Sequence, residues 1–531
     1  MPGLKLSFHG AAGCVTGFCA RLQTDEAVIL VDCGMFQGTK SLKALNYQPF
    51  PFDAREIDAV LLTHAHIDHS GLLPKLMRAG FHGPIFSTAG TRDLCRVMLA
   101  DAGGIQESEV RQLNRRNLRR GRAEVQPIYT VRDAAKVMDQ FQKVKLGEPA
   151  QVASGITATY WEAGHLLGSA SIEIVVDGRK PARLLFSGDL GPGGRDYLPD
   201  PEGPCGVDHL IVESTYGDRE RARLSGDERR KMLLSEVLEA RAAGGPLLIP
   251  AFAVERSQEL LADLLSLMEQ GAMPDADIFL DSPLAIEATE IFRARGWNRE
   301  TGLNPFQSLR ATDRLKFMTA PGESDRLERI SGWHIIVAAS GMCDAGRVRK
   351  HLKRLLWQQR ATVLLSGYQA AGTLGRLLQE GARRVSIQGD DIQVKARIRS
   401  LDVYSAHADA LALVDWVKAR MPVAGSLFLA HGEPTALQAL QSRLQAAGIA
   451  PASIQIAELD QTFDLENPAA ARASIQPRLA NAGLARADWH NARAAVLMRL
   501  NDLLEAAPDD AARDAIVGRL TRALAMEAQP S

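Results

Sequence analysis

Four side chains able to hold a divalent cation fall within six residues: His64, His66, Asp68 and His69, in Thr63-His64-Ala65-His66-Ile67-Asp68-His69-Ser70-Gly71. Imidazole and carboxylate are borderline-to-hard donors that suit Zn²⁺ or a similar ion. A catalytic ion keeps one position open for water, so four donors this close exceed the need of one ion and point to two. His64 and His66 would then serve the first ion, and Asp68 and His69 the second. The competing reading is a polar loop in which histidines cluster by chance. Further donors stand far along the chain. His165 occupies a glycine-flanked turn, Gly164-His165-Leu166-Leu167-Gly168. Asp189 follows an apolar run in Phe186-Ser187-Gly188-Asp189, where its two oxygens could serve one ion each. His431, in Ala430-His431-Gly432-Glu433, completes the second set. Each is weak alone; beside the six-residue cluster they make a site.

Such side chains converge only where strand ends bring them together. Val28-Ile29-Leu30-Val31, Val60-Leu61-Leu62, Ile172 to Val176 and Arg183 to Phe186 read as strands, with glycine-rich turns between them. Asp32, His64, Asp189 and Glu213 stand at the C-terminal ends of such runs, where layered α/β folds build their sites. From about residue 212 longer helical patterns alternate with strands such as Pro246 to Pro250 and Ile335 to Ala339, which predicts a second α/β domain. The first style returns after Ser400, and Leu427 to Ala430 leads to His431. The middle segment is therefore read as an insertion. The expected division is 1–211 and 396–465 for the metal domain, 212–395 for the inserted domain, and 466–531 for an Ala-, Arg- and Leu-rich helical extension.

At 531 residues several cores are expected. With 62 Lys+Arg against 63 Asp+Glu, affinity for a polyanion must come from a local basic surface. Six scattered cysteines without a CxxC pair argue against a disulfide framework and against a cysteine zinc site. The N-terminus lacks a signal-type apolar segment and no apolar run approaches membrane-spanning length, so a cytoplasmic protein without membrane association is expected.

These motifs resemble those of the metallo-β-lactamase-fold hydrolases: Asp32, His64/His66/Asp68/His69, His165, Asp189 and His431 all match. More narrowly, the chain is similar to the β-CASP nucleases. Glu213-Ser214-Thr215-Tyr216-Gly217-Asp218 fits the group's first additional motif, Tyr404-Ser405-Ala406-His407-Ala408-Asp409 the second, and Leu429-Ala430-His431-Gly432-Glu433 the third. The resemblance covers roughly residues 4 to 465. It implies an αββα sandwich with an inserted β-CASP domain. It also implies two Zn²⁺ per chain, with Mn²⁺ the alternative, and a ribonuclease acting mainly endonucleolytically on single-stranded RNA to leave a 5′-phosphate. His64, His66 and His165 would hold one ion; Asp68, His69 and His431 the other; Asp189 would bridge. Asp32 would orient a ligand or the attacking water, and His407 would be the general acid with Glu213 as its carboxylate partner. The catalytic set is thus His407, Glu213, Asp32 and Asp68. Histidine in the third motif goes with RNA-cleaving members, which favours RNA over DNA. The alternative substrates are DNA or a small ester or thioester. A homodimer, and a protein partner for the extension, are further expectations.

Two glycine-rich turns would offer backbone N–H groups to phosphate. One contains Ser340, Gly341, Gly346 and Arg347; the other contains Gly372, Thr373 and Arg376. Ordinary tight α/β turns are the competing reading. Arg115 to Arg122 is a landing strip for RNA or a solvated helix face. His351 is expected at the surface, and His9, His82, His209, His334 and His490 show no partner pattern.

Overall fold

The computed structural model describes residues 3–178, 181–222, 224–296, 304, 306, 313–367, 369, 373–466, 473–474, 478, 496, 499–500 and 502–527. Gly372 and His490 lie outside the described residues. The strands run in chain order as β1 (Lys5–Gly10), β2 (Cys19–Gln23), β3 (Val28–Val31), β4 (Ala59–Leu61), β5 (Ile85–Thr88), β6 (Phe141–Val144), β7 (Ala150–Ala153), β8 (Ile156–Glu162), β9 (Ala170–Val176), β10 (Ala182–Phe186) and β11 (His209–Glu213). The inserted segment contributes β12 (Leu247–Pro250), β13 (Ile278–Leu280), β14 (Leu315–Phe317), β15 (Ile335–Ala338), β16 (Thr362–Leu365), β17 (Arg384–Ile387), β18 (Asp390–Gln393) and β19 (Arg397–Ser400). The return segment adds β20 (Leu427–Ala430), β21 (Ile454–Ile456), β22 (Gln461–Asp464) and β23 (Ala473–Ser474).

Two sheets pack face to face, ordered β23-β22-β1-β2-β3-β4-β5-β6 and β21-β20-β11-β10-β9-β8-β7. Side chains alternate across a strand, and the central strands are covered on both faces, so β3, β4 and β20 are apolar throughout. Ile29 and Val31 of β3, Leu184 and Phe186 of β10, and Phe428 and Ala430 of β20 fill the space between the sheets. Their neighbours point outward. Leu30 meets the cluster around helix 89–119, while Leu185, Leu427 and Leu429 meet helices 410–418 and 434–446. The expected αββα layering follows from that covering.

The inserted domain is a parallel six-stranded sheet, β14-β13-β15-β12-β16-β19. Its edge strand β19 extends this sheet past residue 395, the expected limit, to Ser400. Leu247 and Ile249 join one apolar cluster with Leu94, Cys95 and Leu99 of the first domain, so the two domains share a core. Past residue 465, β23 pairs with β22. Arg478 bonds both Asp460 oxygens and its Nη2 donates to the His9 carbonyl, which fastens the start of the extension to the sandwich. The helix Asp510–Glu527 lies beyond that staple.

Two histidines depart from expectation. His9 pairs with Asp460 at 3.1 Å. His351 is 1% exposed rather than a surface residue. Its Nε2 bonds Asp281 Oδ2 at 2.7 Å, where Ser324 Oγ also donates, and Arg347 Nη1 bonds Asp281 Oδ1 at 2.7 Å. Burial tends to raise this carboxyl, but the His351, Ser324 and Arg347 bonds bring it below the usual range. Removing the carboxylate leaves buried donors without an acceptor. Asp281→Ala is therefore expected to lower stability by about 3–5 kcal/mol in urea titration while leaving metal content unchanged.

Candidate metal centre

The six-residue cluster leaves β4 as a turn whose backbone is fixed from outside. Phe18 N donates to Asp68 O, Cys33 N to His69 O and Met35 N to Ile67 O, at 2.8 to 2.9 Å. Gly34 must be glycine for this approach, since a Cβ there would fall 1.7 Å from Asp68 O. Asp32 and His431 follow β3 and β20 with φ of 60° and 52°, left-handed backbone that turns each side chain out of its strand.

Two sets of donors form around Asp189. His64 Nε2 and His165 Nε2 lie 3.2 and 3.1 Å from His66 Nδ1, and 3.5 and 3.6 Å from Asp189 Oδ2. On the other side His69 Nε2 lies 3.1 Å from His431 Nε2 and 3.3 Å from Asp189 Oδ1, and His431 Nε2 lies 3.6 Å from Asp68 Oδ2. Donors about 2.0–2.1 Å from one tetrahedral ion stand about 3.4 Å apart, which these spacings match. Asp189 Oδ1 is buried and accepts no hydrogen bond from any described residue. An open anionic oxygen amid facing ring nitrogens suits a cation and little else.

The remaining ring nitrogens set the tautomers. His165 Nδ1 lies 2.9 Å from Ala406 O, and a carbonyl only accepts, so Nδ1 carries the proton and Nε2 presents its lone pair. Thr63 donates its one hydroxyl proton to Asp32 Oδ2 at 2.7 Å, so its oxygen accepts from His64 Nδ1 at 3.0 Å. His69 Nδ1 bonds the same Asp32 Oδ2 at 2.7 Å. Thr215 Oγ1 takes His431 Nδ1 at 3.0 Å. Burial drives His64 and His165 well below the usual histidine range and His66 down to about 4, favouring the neutral rings that bind metal. Phe18 stacks on His69 with ring centroids 5.6 Å apart.

His407 stands at the mouth. Its Nδ1 is 3.3 Å from Glu213 Oε1 and 3.9 Å from Asp189 Oδ2, and its side chain is 20% exposed against 1% for Glu213. Glu213 is itself fixed, accepting from Leu190 N and Thr215 N. Four consecutive carbonyls of the loop that carries His407 are each bonded. Tyr404 O accepts from Arg256 Nε at 2.8 Å, Ser405 O from Arg195, Ala406 O from His165, and His407 O from Arg221 at 2.6 Å. Arg195, Arg221, Arg256, Thr63 and Thr215 were not singled out in sequence. Only the two threonines carried a signal, each adjoining a recognised motif.

The glycine-rich turns of the inserted domain fold onto each other. Gln369 Nε2 donates to Gly341 O, Gly375 N to Met342 O, and Leu374 N to Asp344 Oδ1. Arg347 is held inside the domain by Asp281 and by the Met318 and Thr319 carbonyls, which corrects its assignment as a phosphate contact. Arg376 pairs with Glu380. Ser340, Gly341, Gly346 and Thr373 lie on these turns, and Thr373 caps the helix that begins at Leu374.

Family models match in chain order: the metallo-beta-lactamase superfamily over residues 12–230, the Beta-Casp domain over 257–378, and the Zn-dependent metallo-hydrolase RNA specificity domain over 391–454. With the donor sets above, they define a metal-dependent hydrolase. A ribonuclease of Thermus thermophilus is 35% identical over 454 residues, 84% of this chain and 97% of that protein. An RNase J-like protein of Methanocaldococcus jannaschii is 30% identical over 440 residues, 81% of this chain and 92% of that one. A transcription termination factor of Pyrococcus abyssi is 32% identical over 450 residues, 78% of this chain and 64% of that longer protein. The chain belongs to the β-CASP family of metallo-β-lactamase-fold nucleases.

Asp32→Asn exchanges an acceptor of three hydrogen bonds for an amide. It should keep the fold and weaken metal binding about 10- to 100-fold, read by competition with a chromophoric chelator. Arg256→Ala frees the Tyr404 carbonyl and should lower hydrolytic turnover about 100-fold at unchanged metal content. Turnover within a few-fold of the unsubstituted protein would show that the loop holds its place without this contact.

Proposed function

We propose that the protein is a zinc-dependent ribonuclease that cleaves single-stranded RNA internally and leaves a 5′-phosphate. The observation that carries this reading is His407 beside Glu213, next to the donor set His64, His66, His165 and Asp189, with the set Asp68, His69 and His431 alongside. His64, His66 and His165 would hold one ion, Asp68, His69 and His431 the other, with Asp189 between them. Two such ions, when bound, supply an acidified water as nucleophile and offset the charge of the phosphodiester.

The chain's own residues do the rest. His407, partly exposed, gives its proton to the leaving 3′-oxygen, while Glu213 orients the ring. Asp32 fixes the His69 tautomer directly and that of His64 through Thr63. Ser340, Gly341, Thr373 and Arg376 would meet the phosphate backbone from the inserted domain. RNA as substrate is supported by the two relatives named as ribonucleases, by the matched RNA specificity domain and by histidine at position 431. Zinc is supported by the donor set of imidazoles and carboxylates.

Purified protein of known metal content should cut a 5′-labelled single-stranded RNA and leave the equivalent DNA intact. His407→Ala should lower kcat about 100- to 10,000-fold with zinc retained, whereas Asp189→Ala should lose both zinc and activity. Intact RNA in the presence of two bound zinc ions would move the assignment to another phosphodiester or ester.

A further inference from the structure

Helix 89–119 begins inside the molecule and ends outside it. Its 31 residues span about 46 Å at 1.5 Å per residue. Thr88 caps its first turn and donates to Gly168 O at 2.6 Å, in the loop that carries His165. The first half is buried through Leu94, Cys95 and Leu99, and Asp93 bonds Arg295 of the inserted domain. Beyond Val110 only Asn117 is buried within the helix.

That outer end is strongly basic. Residues 111–122 contain six arginines (Arg111, Arg115, Arg116, Arg119, Arg120 and Arg122), all exposed, and no Asp or Glu. Among the described residues only Arg111 of these has a carboxylate in ion-pair range, Glu107 at 3.7 Å. Arginines 115 and 119, and 116 and 120, stand four apart on the helix, a like-charge spacing that weakens a helix. The chain nonetheless builds this end firmly. Asn114 exchanges two 2.9 Å bonds with the backbone of Val125, Asn117 Nδ2 donates to Ala123 O, and Glu107 accepts from Val131 N. A repelling cluster held in place by the irregular segment that follows it is a built surface. Its complement is a polyanion with regularly spaced phosphates, which guanidinium forks bind in pairs.

We propose that this tip is a second, non-catalytic anchor for the RNA backbone, about 40 Å along the helix from the metal centre. It rests on the ribonuclease reading for the identity of the polyanion. Contacts to phosphate carry no base information, so the anchor is indifferent to sequence and favours long strands over short ones.

The test compares the full chain with a set in which Arg115→Gln, Arg116→Gln, Arg119→Gln and Arg120→Gln are combined, and with the matching four-lysine set. Binding of labelled single-stranded RNA of about 30 and about 5 nucleotides is followed by anisotropy, in a His407→Ala background so that the strand persists. The glutamine set should lose about 10-fold or more in affinity for the long strand, with a log–log salt slope shallower by about 3, and should bind the short strand unchanged. The lysine set should keep both properties. Equal long-strand binding and equal salt slope in the glutamine set would overturn the proposal. So would retention of RNA binding with loss only of binding to phosphatidylserine vesicles, which would assign the tip to a membrane surface. Binding is read apart from cleavage, so a failure of the ribonuclease reading shows separately, as both RNAs left uncut by the protein that retains His407.

Discussion

A carboxylate 2% exposed, as Asp189 is, persists in a protein interior only with positive or donating partners around it. Its position at the end of β10 decides where the other elements must stop. β4 delivers the histidine cluster, the turn after β8 delivers His165, β20 delivers His431, and β3 delivers Asp32 behind them. The central strands are committed to apolar contacts on their faces, so the donor residues gather at the rim where strands end. The centre is a consequence of covering the sandwich on both sides.

His407 answers to a different constraint. Its loop is held through carbonyls, and carbonyls need donors that do not wander. Arg195 reaches Ser405 O while pairing with Glu255 and Glu259, and Arg229 pairs with Glu259 at 3.2 Å and Asp263 at 2.8 Å. Asp263 also accepts from the Tyr404 hydroxyl at 2.8 Å. Burial, then the Glu259 carboxylate, raises Glu255 to about 8, so a shift in this packing changes charge as well as position. Glu255, Glu259 and Asp263 lie on or beside helix 256–269 of the inserted domain. The group assigned to proton transfer is thus located in part by the inserted domain, through Arg256, and in part by the first domain, through Arg195 and His165.

Ligation demands particular residue types at short spacing, and strands and their ends leave a period of two, so the residues that converge on the cluster and the αββα order were legible. The clamp was not, because a carbonyl has no residue signature and an ion pair such as Arg195–Glu259 leaves no period in sequence. The same reason hid His351: a helical histidine among basic neighbours reads as surface until Asp281 is known to lie beneath it. Limits at 395 and 465 missed β19 and β23, edge strands of four and two residues whose pairing partners are distant or reached through a loop. Arg347 misled for a related reason, as a basic residue at a glycine turn has the same sequence whether it faces phosphate or Asp281.

Several unfavourable features coincide at the centre. Asp32 and His431 hold left-handed backbone, at about 1–2 kcal/mol each. Ring nitrogens of His165 and His66 lie 3.1 Å apart, and Asp189 Oδ1 lacks a hydrogen-bond donor among the described residues. None of this is distributed; it lies within one rim of a structure whose apolar interior runs from Leu6 and Phe8 on β1 to Phe463 on β22. His431 is kept in its strained form by donating its N–H to Ala11 O at 2.6 Å, and Asp32 by donating to Leu61 O at 2.9 Å. The sandwich therefore holds the donor positions through its own backbone contacts. The geometry around His407 is likewise set by contacts within the protein, Glu213 beside its ring and donors on the carbonyls of its loop.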